Sequence, residues 1–391
     1  ELSRRRVSAM HLPGIGPTGA GLVAAEREPS GPLDRVCAVK QVLDDIVRVD
    51  WAQVQYKRAL SGLVTMLVVV AFLGVIDDVV LAALMAALFV SSIGGGGSMS
   101  ERLPAMVRFT VVGALVGGLA YWSTESVWLV AVVLGVAAYV GTLAAAFGPV
   151  AAKSGMYLSI WPLFALMLGS ADTDPWTVAV AFLAGGILAM VITALRLRVT
   201  GQDSVSGSDD DEAHEQGARP FTVDNLLAAT TEPIGLFALL RTSAIVLAIL
   251  VGFWWFEAYP LWVAITVIVV VKPSSSQSLS MAVQRTLGTA IGVTLAVAVA
   301  QVLPESDTAV AIAFLVCGFL MIAFNNANYT LFATFLTAML VFGQRLAHAD
   351  AFEAGWERLL ATLVGAVIAI VVMGIAMARW PSGTDRTRTT R

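Results

Sequence analysis

Residues 176–195 read WTVAVAFLAGGILAMVITAL, and these residues, none of them charged, decide the class of the fold. A helix of about 20 apolar residues is long enough to cross the ~30 Å hydrocarbon core of a bilayer. Over the whole chain of 391 residues, 58% are hydrophobic and 13% are charged. A soluble domain carries about 25% charged residues, so this chain needs lipid as the solvent for its apolar surface. The composition therefore predicts an all-α membrane protein.

Similar apolar stretches recur on both sides of this one and are separated by short polar turns. A block from Ala59 to Ile93 is interrupted only by Asp77 and Asp78, which predicts a helical hairpin with an acidic turn. Further spans are expected at 104–121, 127–146, 157–168, 176–195, 238–256, 259–271, 283–303, 308–324, 329–343 and 357–378. The hydropathy pattern thus predicts about twelve transmembrane helices.

The segments outside these spans suggest how the chain is divided. Residues 33–56 carry apolar side chains at helical spacing between charged ones, which predicts an amphipathic helix on the cytoplasmic membrane surface. Residues 199–235 are rich in Ser, Gly, Asp and Glu, which is typical of a solvated cytoplasmic linker. The expected domains are a disordered tail at 1–32, the amphipathic helix at 33–56, a first membrane repeat at 57–198, the linker at 199–235, a second membrane repeat at 236–380 and a basic tail at 381–391.

The two membrane halves resemble each other in sequence. The shared features are the glycine pairs Gly113/Gly117 and Gly288/Gly292, the stretches 157–168 and 329–340, and the equal spacings of Trp176 to Gly185 and Trp356 to Gly365. Six spans per half is an even number, so both halves enter the membrane from the same side and form parallel repeats. The basic residues then gather on one side of the bilayer. The positive-inside rule then predicts a bacterial inner-membrane protein with both termini on the cytoplasmic side.

Several classes of function are disfavoured by the sequence. The two cysteines and three histidines are scattered, so neither a disulfide framework nor a metal enzyme is expected. The Gly94–Gly97 run lacks the Lys-Ser/Thr partner of a phosphate-binding loop, and no catalytic motif appears. We therefore expect a protein that is not an enzyme and has no cofactor and no nucleic-acid partner.

The second half carries a recognisable pattern. It reads LWVAIT at 261–266, QRTLGTAIG at 284–292 and RLLATLVG at 358–365, with Asn328-Tyr329 opening a span that contains Thr334 and Thr337. Together these motifs resemble the fusaric acid resistance and aromatic acid exporter family, and plant aluminium-activated malate channels resemble the same six-helix unit. The resemblance covers about 58–196 and 236–380. The first half keeps Arg108 and Gly113 but lacks the Gly-Thr pair.

The resemblance implies efflux of organic anions, often aromatic carboxylates. A permeating carboxylate needs cationic groups or N–H donors that replace its hydration in a path shielded from lipid. The candidate substrate-binding residues are Arg108, Arg285, Thr289, Asn328, Tyr329, Thr334, Thr337 and Arg358.

Each candidate also has a structural interpretation. Arg108 and Arg285 open the third span of their halves, where an arginine either attracts anions into a pore between the halves or contacts lipid phosphates. Tyr329 is suited to stacking on an aromatic substrate, with Asn328 donating to its carboxylate, but an interfacial Tyr needs no such role. Arg358 either neutralises a neighbouring acidic residue or lines an anion exit, and the cost of a charge at this depth favours the exit.

Three functions follow as hypotheses. The first is a proton-driven exporter of small organic anions in the lipid bilayer, which the family resemblance favours. The second is a passive anion channel between the pseudo-symmetric halves, and the third is a non-transport scaffold for envelope assembly. A homo-oligomer is compatible with each of them.

Overall fold

The computed structural model describes residues 46, 48–73, 78–93, 99–168, 174–200, 219–256, 259–304, 306–346 and 350–379. Regular secondary structure within these residues is helical, which confirms the predicted all-α class. The α-helices are α1 (Tyr56–Leu73), α2 (Asp78–Ser92), α3 (Met99–Trp122), α4 (Val127–Leu143), α5 (Pro149–Leu168), α6 (Pro175–Thr200), α7 (Val223–Thr231), α8 (Pro233–Trp255), α9 (Trp262–Val270), α10 (Ser275–Val302), α11 (Asp307–Phe324), α12 (Tyr329–Leu346) and α13 (Ala351–Arg379).

Eight helices within the described ranges are long and apolar enough to cross a membrane. They are α3, α4 with the 3-10 turn that follows it, α5, α6, α8, α10, α11 and α13. The apolar part of α2 is shorter, and the nine residues of α9 extend only about 14 Å. The chain is therefore a multi-pass membrane protein, although fewer helices meet both conditions than the twelve that hydropathy predicts.

The outer surface of the bundle is apolar, as contact with lipid requires. On α4, Trp128, Val132 and Val136 follow one another at four-residue steps and are 70%, 60% and 59% exposed. On α13, Val367 and Val371 are 60% and 51% exposed. Stripes of large exposed apolar side chains are unstable in water but stable against acyl chains. These faces are consequently the lipid-facing sides of their helices.

Helix packing divides the described chain into two groups. In the first group, α3 contacts α5 and α6, α2 contacts α6, and α4 contacts α5. In the second group, α10 contacts α12 and α13, α9 contacts α13, and α11 contacts α12. The groups meet where α1 packs against α11, α4 against α8 and α5 against α9. We refer to this meeting surface as the seam.

The glycine pair Gly288/Gly292 brings α10 close to α12. A Cβ at Gly288 would lie 2.6 Å from the Cβ of Ala333 and 2.7 Å from the carbonyl oxygen of Thr330. A Cβ at Gly292 would collide with the carbonyl oxygen of Thr334. Only a hydrogen fits at these two positions, which confirms that the small-xxx-small motif serves close helix packing.

Several helix ends differ from the predicted bounds. Helix α5 begins at Pro149 rather than at Tyr157, because Gly148 takes φ 108° and Pro149 suits the first helical position. The end of the predicted linker is also folded, since Thr222 accepts a hydrogen bond from the Asn225 amide and caps α7. The tails at 1–32 and 381–391 and most of the linker lie outside the described residues.

Candidate anion site

Arg358 is buried in the second helix group. It lies seven residues after the start of α13, about 10 Å along the helix, and is 1% exposed. Its guanidinium carbon stands 3.7 Å above the centre of the Trp262 ring, and its Nε donates to Thr337 Oγ1 at 3.4 Å. The cation–π contact and this hydrogen bond fix the plane of the guanidinium. Its two terminal nitrogens, Nη1 and Nη2, have no hydrogen-bond acceptor among the described residues.

Arg285 is the second buried arginine of this group. It lies on α10 and is 2% exposed, and its Nε and Nη1 have no acceptor within the described part of the chain. Its charge acts on Arg358, and both arginines act on the hydroxyl of Tyr329. Arg285, Arg358 and Tyr329 therefore form one cluster, although they come from three helices, α10, α13 and α12.

Within the described part of the chain, this cluster holds no counter-charge. Among the residues that the structure describes, neither Arg285 nor Arg358 has a carboxylate within 4.0 Å. Glu357, next to Arg358 in sequence, lies instead within electrostatic range of Tyr259. The described residues thus give no support to the interpretation in which Arg358 neutralises an acidic neighbour. Two guanidinium charges lie inside the bundle, where an uncompensated ion is strongly unfavourable.

Threonines of α10 and α12 lie in the same group of helices. Thr289 and Thr337 are fully buried, and Thr289 Oγ1 has no partner among the described side chains. Thr334 is also buried, but its hydroxyl donates to the carbonyl of Thr330 on its own helix at 2.9 Å. Thr337 is the candidate whose hydroxyl contacts an arginine of the cluster. The structure thus brings together Arg285, Tyr329, Thr337 and Arg358.

Arg108 is not part of the cluster. It lies on the exposed side of α3 in the first helix group, and its Nε donates to the carbonyl of Pro104 at 3.1 Å. Its position is that of a residue at the membrane surface, not that of a group lining an internal path. Arg108 and Arg285 look alike in sequence, but they differ in burial because their helices turn different faces to the bundle.

Asn328 holds the chain that precedes α1. Its Nδ2 donates to the carbonyls of Ile46 and Arg48 at 3.1 and 3.0 Å, and its Oδ1 accepts from the Leu331 amide at 2.9 Å. The amides of Asp50 and Gln55 add hydrogen bonds to this turn, at the carbonyls of Ala327 and Ala323. Most of the predicted amphipathic helix lies outside the described residues, and its end, 48–55, is extended apart from the 3-10 turn Trp51–Gln53. The side chain of Asn328 is occupied by backbone groups, which leaves it no role with a carboxylate.

We expect Asn328→Ala to release this N-terminal segment. The substitution removes both side-chain hydrogen bonds to Ile46 and Arg48, and one hydrogen bond contributes about 1 kcal/mol net. Amide hydrogen exchange of residues 48–55, followed by mass spectrometry, should accelerate about fivefold, which corresponds to that energy. The neighbouring exposed Asn326→Ala is the matched control. Equal exchange in the two variants would show that the backbone hydrogen bonds hold the segment without Asn328.

Trp262 is the residue of this site that the sequence analysis missed. It is 3% exposed, its ring supports Arg358 on α13, and it meets Phe164 of α5 edge to face at 5.9 Å across the seam. In the sequence it appears only as part of the LWVAIT motif at the start of a span, where a tryptophan usually marks the membrane interface. The ring thus contacts Arg358 of the cluster and Phe164 across the seam.

The matching place in the first helix group is filled by aromatic rings. Trp161 on α5 and Phe182 on α6 are fully buried, with ring centres 4.3 Å apart, and Phe109 on α3 lies 6.0 Å from Phe182. The indole nitrogen of Trp161 donates to the carbonyl of Gly113 at 2.9 Å. This region is a packed apolar core. The two helix groups therefore share an arrangement of helices, but the first contains aromatic rings where the second contains arginines.

A separate pair of cations lies where α9 ends. Arg241 on α8 donates to the Ile268 carbonyl at 2.6 Å and to Thr142 Oγ1 on α4 at 3.2 Å, which ties the end of α9 to the first helix group. In the turn before α10, burial and the charge of Arg241 lower the pKa of Lys272 from 10.5 to about 8. Both terminal nitrogens of Arg241 have acceptors and only its Nε has none among the described residues, so we assign this pair to the fold.

Lys272→Met is expected to raise thermal stability near neutral pH. Lys272 loses its proton at lower pH in the folded protein than in the unfolded chain. The free energy of unfolding of the parent therefore rises as pH increases from about 8 to 10.5. The gain of the variant over the parent should be largest below pH 8 and should shrink as pH approaches 10.5. Thermal unfolding followed by tryptophan fluorescence measures it, with the exposed Lys57→Met as control. A difference that does not change with pH would contradict the assignment.

The second half of the chain matches a known protein family. Residues 227–372, which run from α7 into α13, match the family described as fusaric acid resistance protein-like. This part of the chain is similar to that family. The match contains every residue of the arginine cluster. No curated protein and no solved structure matches the chain significantly.

The match to the fusaric acid resistance-like family and the apolar helices together indicate a membrane transporter. The family match covers the second helix group and leaves the first unmatched. The first group is also the one whose internal space is filled by Trp161 and Phe182. The part of the chain that matches this family thus contains Arg285 and Arg358, whose side chains have nitrogens without an acceptor among the described residues.

Proposed function

We propose that the chain forms twelve membrane helices in two parallel six-helix repeats, α1–α6 and α8–α13. In both groups the third helix contacts the fifth and sixth, the second contacts the sixth, and the fourth contacts the fifth. Across the seam, the first helix of each group contacts the fourth helix of the other. Such reciprocal contacts are those of a twofold axis along the membrane normal. With this topology the basic residues favour cytoplasmic termini and a bacterial inner membrane.

We further propose that the protein exports organic anions, aromatic carboxylates among them. The observation that carries this proposal is the pair of buried arginines, Arg285 and Arg358, without a carboxylate within 4.0 Å among the described residues. Ionisable groups inside a membrane bundle are expensive and usually serve a transported ion. A bound carboxylate supplies the missing counter-charge, and the rings of Trp262 and Tyr329 offer apolar faces to an aromatic substrate.

The route we propose runs within the second helix group, between α9, α10, α12 and α13. Trp262 contacts Arg358 on one side and Phe164 across the seam on the other. This placement replaces the expected path between the halves, because Arg285 and Arg358 both belong to the second helix group. Coupling to the proton gradient is part of the proposal.

The test is flux in proteoliposomes that contain the purified full chain. A proton-coupled exporter concentrates a labelled aromatic carboxylate such as benzoate against its gradient when a pH difference is imposed. A passive channel only equilibrates the label, and a scaffold carries none. Liposomes with Arg108→Gln protein serve as the positive control, since this arginine lies outside the cluster. Absence of benzoate and dicarboxylate flux in every preparation would refute the transport proposal.

A further inference from the structure

The two arginines of the site present more positive charge than a simple carboxylate can balance. Arg285 and Arg358 are both buried, and their charges act on each other without an acidic side chain within 4.0 Å in the described chain. Inside a bundle of low polarity, like charges repel more strongly than in water. A bound ion with a single negative charge leaves one of the two guanidiniums uncompensated. A bound ion with two negative charges balances both.

We propose that the occupant of this site is a divalent organic anion, with one carboxylate on Arg358 and a second anionic group on Arg285. This inference rests on the proposed function, because it names the substrate class of the same site. It follows from the atoms that each guanidinium leaves free, which differ between the two arginines.

Arg358 offers its end to the first carboxylate. Its Nε is used by Thr337, and its ring face is covered by Trp262, whereas Nη1 and Nη2 are both free of protein acceptors in the described structure. These two nitrogens form the planar fork that binds both oxygens of a carboxylate. The stacking on Trp262 and the bond to Thr337 hold this fork in one orientation. Arg358 thus orients a bound carboxylate as well as attracting it.

Arg285 supplies the second positive pole. Its free nitrogens are Nε and Nη1, and the Tyr329 hydroxyl lies within range of both guanidiniums. A second anionic group at Arg285 would accept from nitrogens that otherwise lose their hydration without replacement. Thr289, also on α10, adds a buried hydroxyl without a partner among the described residues. The two poles lie on different helices, so one anion that binds both bridges α10 and α13.

The experiment compares two ligands of the same shape. Benzene-1,4-dicarboxylate carries two negative charges at pH 7.5, and 4-carbamoylbenzoate replaces one carboxylate by a neutral amide. Their dissociation constants are measured by isothermal titration calorimetry with the purified full chain. We expect the dianion to bind at least about tenfold more tightly, since its second carboxylate makes charge-assisted hydrogen bonds. In Arg285→Gln the ratio should fall to within about threefold, because the second pole is gone.

Other outcomes separate this inference from the transport proposal. Equal affinity for the two ligands, both lost in Arg358→Gln, would overturn the dianion and leave a monocarboxylate transporter. A tenfold preference that persists in Arg285→Gln would overturn the assignment of the second pole to this arginine. If Arg285→Gln protein does not fold, Arg285→Lys replaces it, since a lysine keeps the charge and loses the planar guanidinium. It should retain the dianion preference, and its loss would overturn the role of charge.

Discussion

Arg358→Gln is expected to lower anion affinity and flux by about 100-fold or more, because removal of one partner from a buried charge pair costs 2–5 kcal/mol. The guanidinium of Arg358 is held in a fixed plane by Trp262 and Thr337, so its Nη1 and Nη2 are oriented to bind a carboxylate. Glutamine has neither the charge nor the two parallel donors. The measurements are benzoate flux in proteoliposomes and titration calorimetry with the purified protein.

The same substitution is expected to leave the protein without ligand as stable as the parent, or more stable. The parent buries a guanidinium with no counter-ion in the described chain, and replacing a buried ion by a neutral group of similar size is often neutral or favourable. Ligand should therefore raise the melting temperature of the parent and not that of Arg358→Gln. Loss of function with retained stability is the combined result that a purely structural role for Arg358 excludes.

Two further variants complete this test. Arg358→Lys keeps the charge but loses the planar fork, so we expect an affinity between those of parent and glutamine variant, about tenfold below the parent. Arg108→Gln removes an arginine from the surface of the first helix group and should leave both flux and affinity unchanged. Parent-like flux in Arg358→Gln, or an equal loss in Arg108→Gln, would contradict the site.

Gly365→Leu is expected to prevent correct packing of α13 and to remove most folded protein. A Cβ at Gly365 would lie 2.7 Å from the carbonyl oxygen of Val263 and 2.7 Å from the Cβ of Thr266, both on α9. Backbone cannot give way like a flexible side chain, so α13 would have to move from α9. Overpacking of this kind costs about 1–3 kcal/mol for small additions and more for a leucine. Since α9 and α13 carry Trp262 and Arg358, the same movement would separate the stacked pair.

Gly374→Leu on the same helix is the matched control. A Cβ at Gly374 meets nothing within 4 Å, and the residue lies on the exposed, lipid-facing side of α13. We expect parent-like yield and a symmetrical peak in size-exclusion chromatography for Gly374→Leu and an aggregated or absent product for Gly365→Leu. Similar yields for both variants would show that α13 tolerates displacement from α9.

The fold follows from the sequence to a large extent, but the helix lengths do not. The charge-free stretch at 176–195 lies within α6, and the Gly288/Gly292 motif marks a close contact, because both depend on local properties of one helix. Eight helices of the described residues are long and apolar enough to span a bilayer, against the twelve that hydropathy predicts. Helix α9 has nine residues, and it is apolar because protein surrounds it on all sides. A hydropathy window does not distinguish burial in protein from burial in lipid.

The candidate site, too, was predicted only in part from the sequence. The sequence named Arg285, Tyr329, Thr337 and Arg358, which the structure brings into one buried group. It also named Arg108 and Asn328, which face the surface and hold the N-terminal segment, respectively. Nothing in the residue types separates the first set from the second, since both contain an arginine at the start of a span and a polar residue at a helix end.

The sequence by itself determined that this chain is helical, that it lies in a membrane and that all candidate site residues except Arg108 lie in the second half. These properties are sums of transfer free energies over consecutive residues, which depend little on the rest of the chain. Only the tertiary structure decided that Arg358 stacks on Trp262 and that both buried arginines lack a counter-ion within the described residues. The rotation and distance of helices decide which side chains meet, and those are set by packing between segments far apart in sequence.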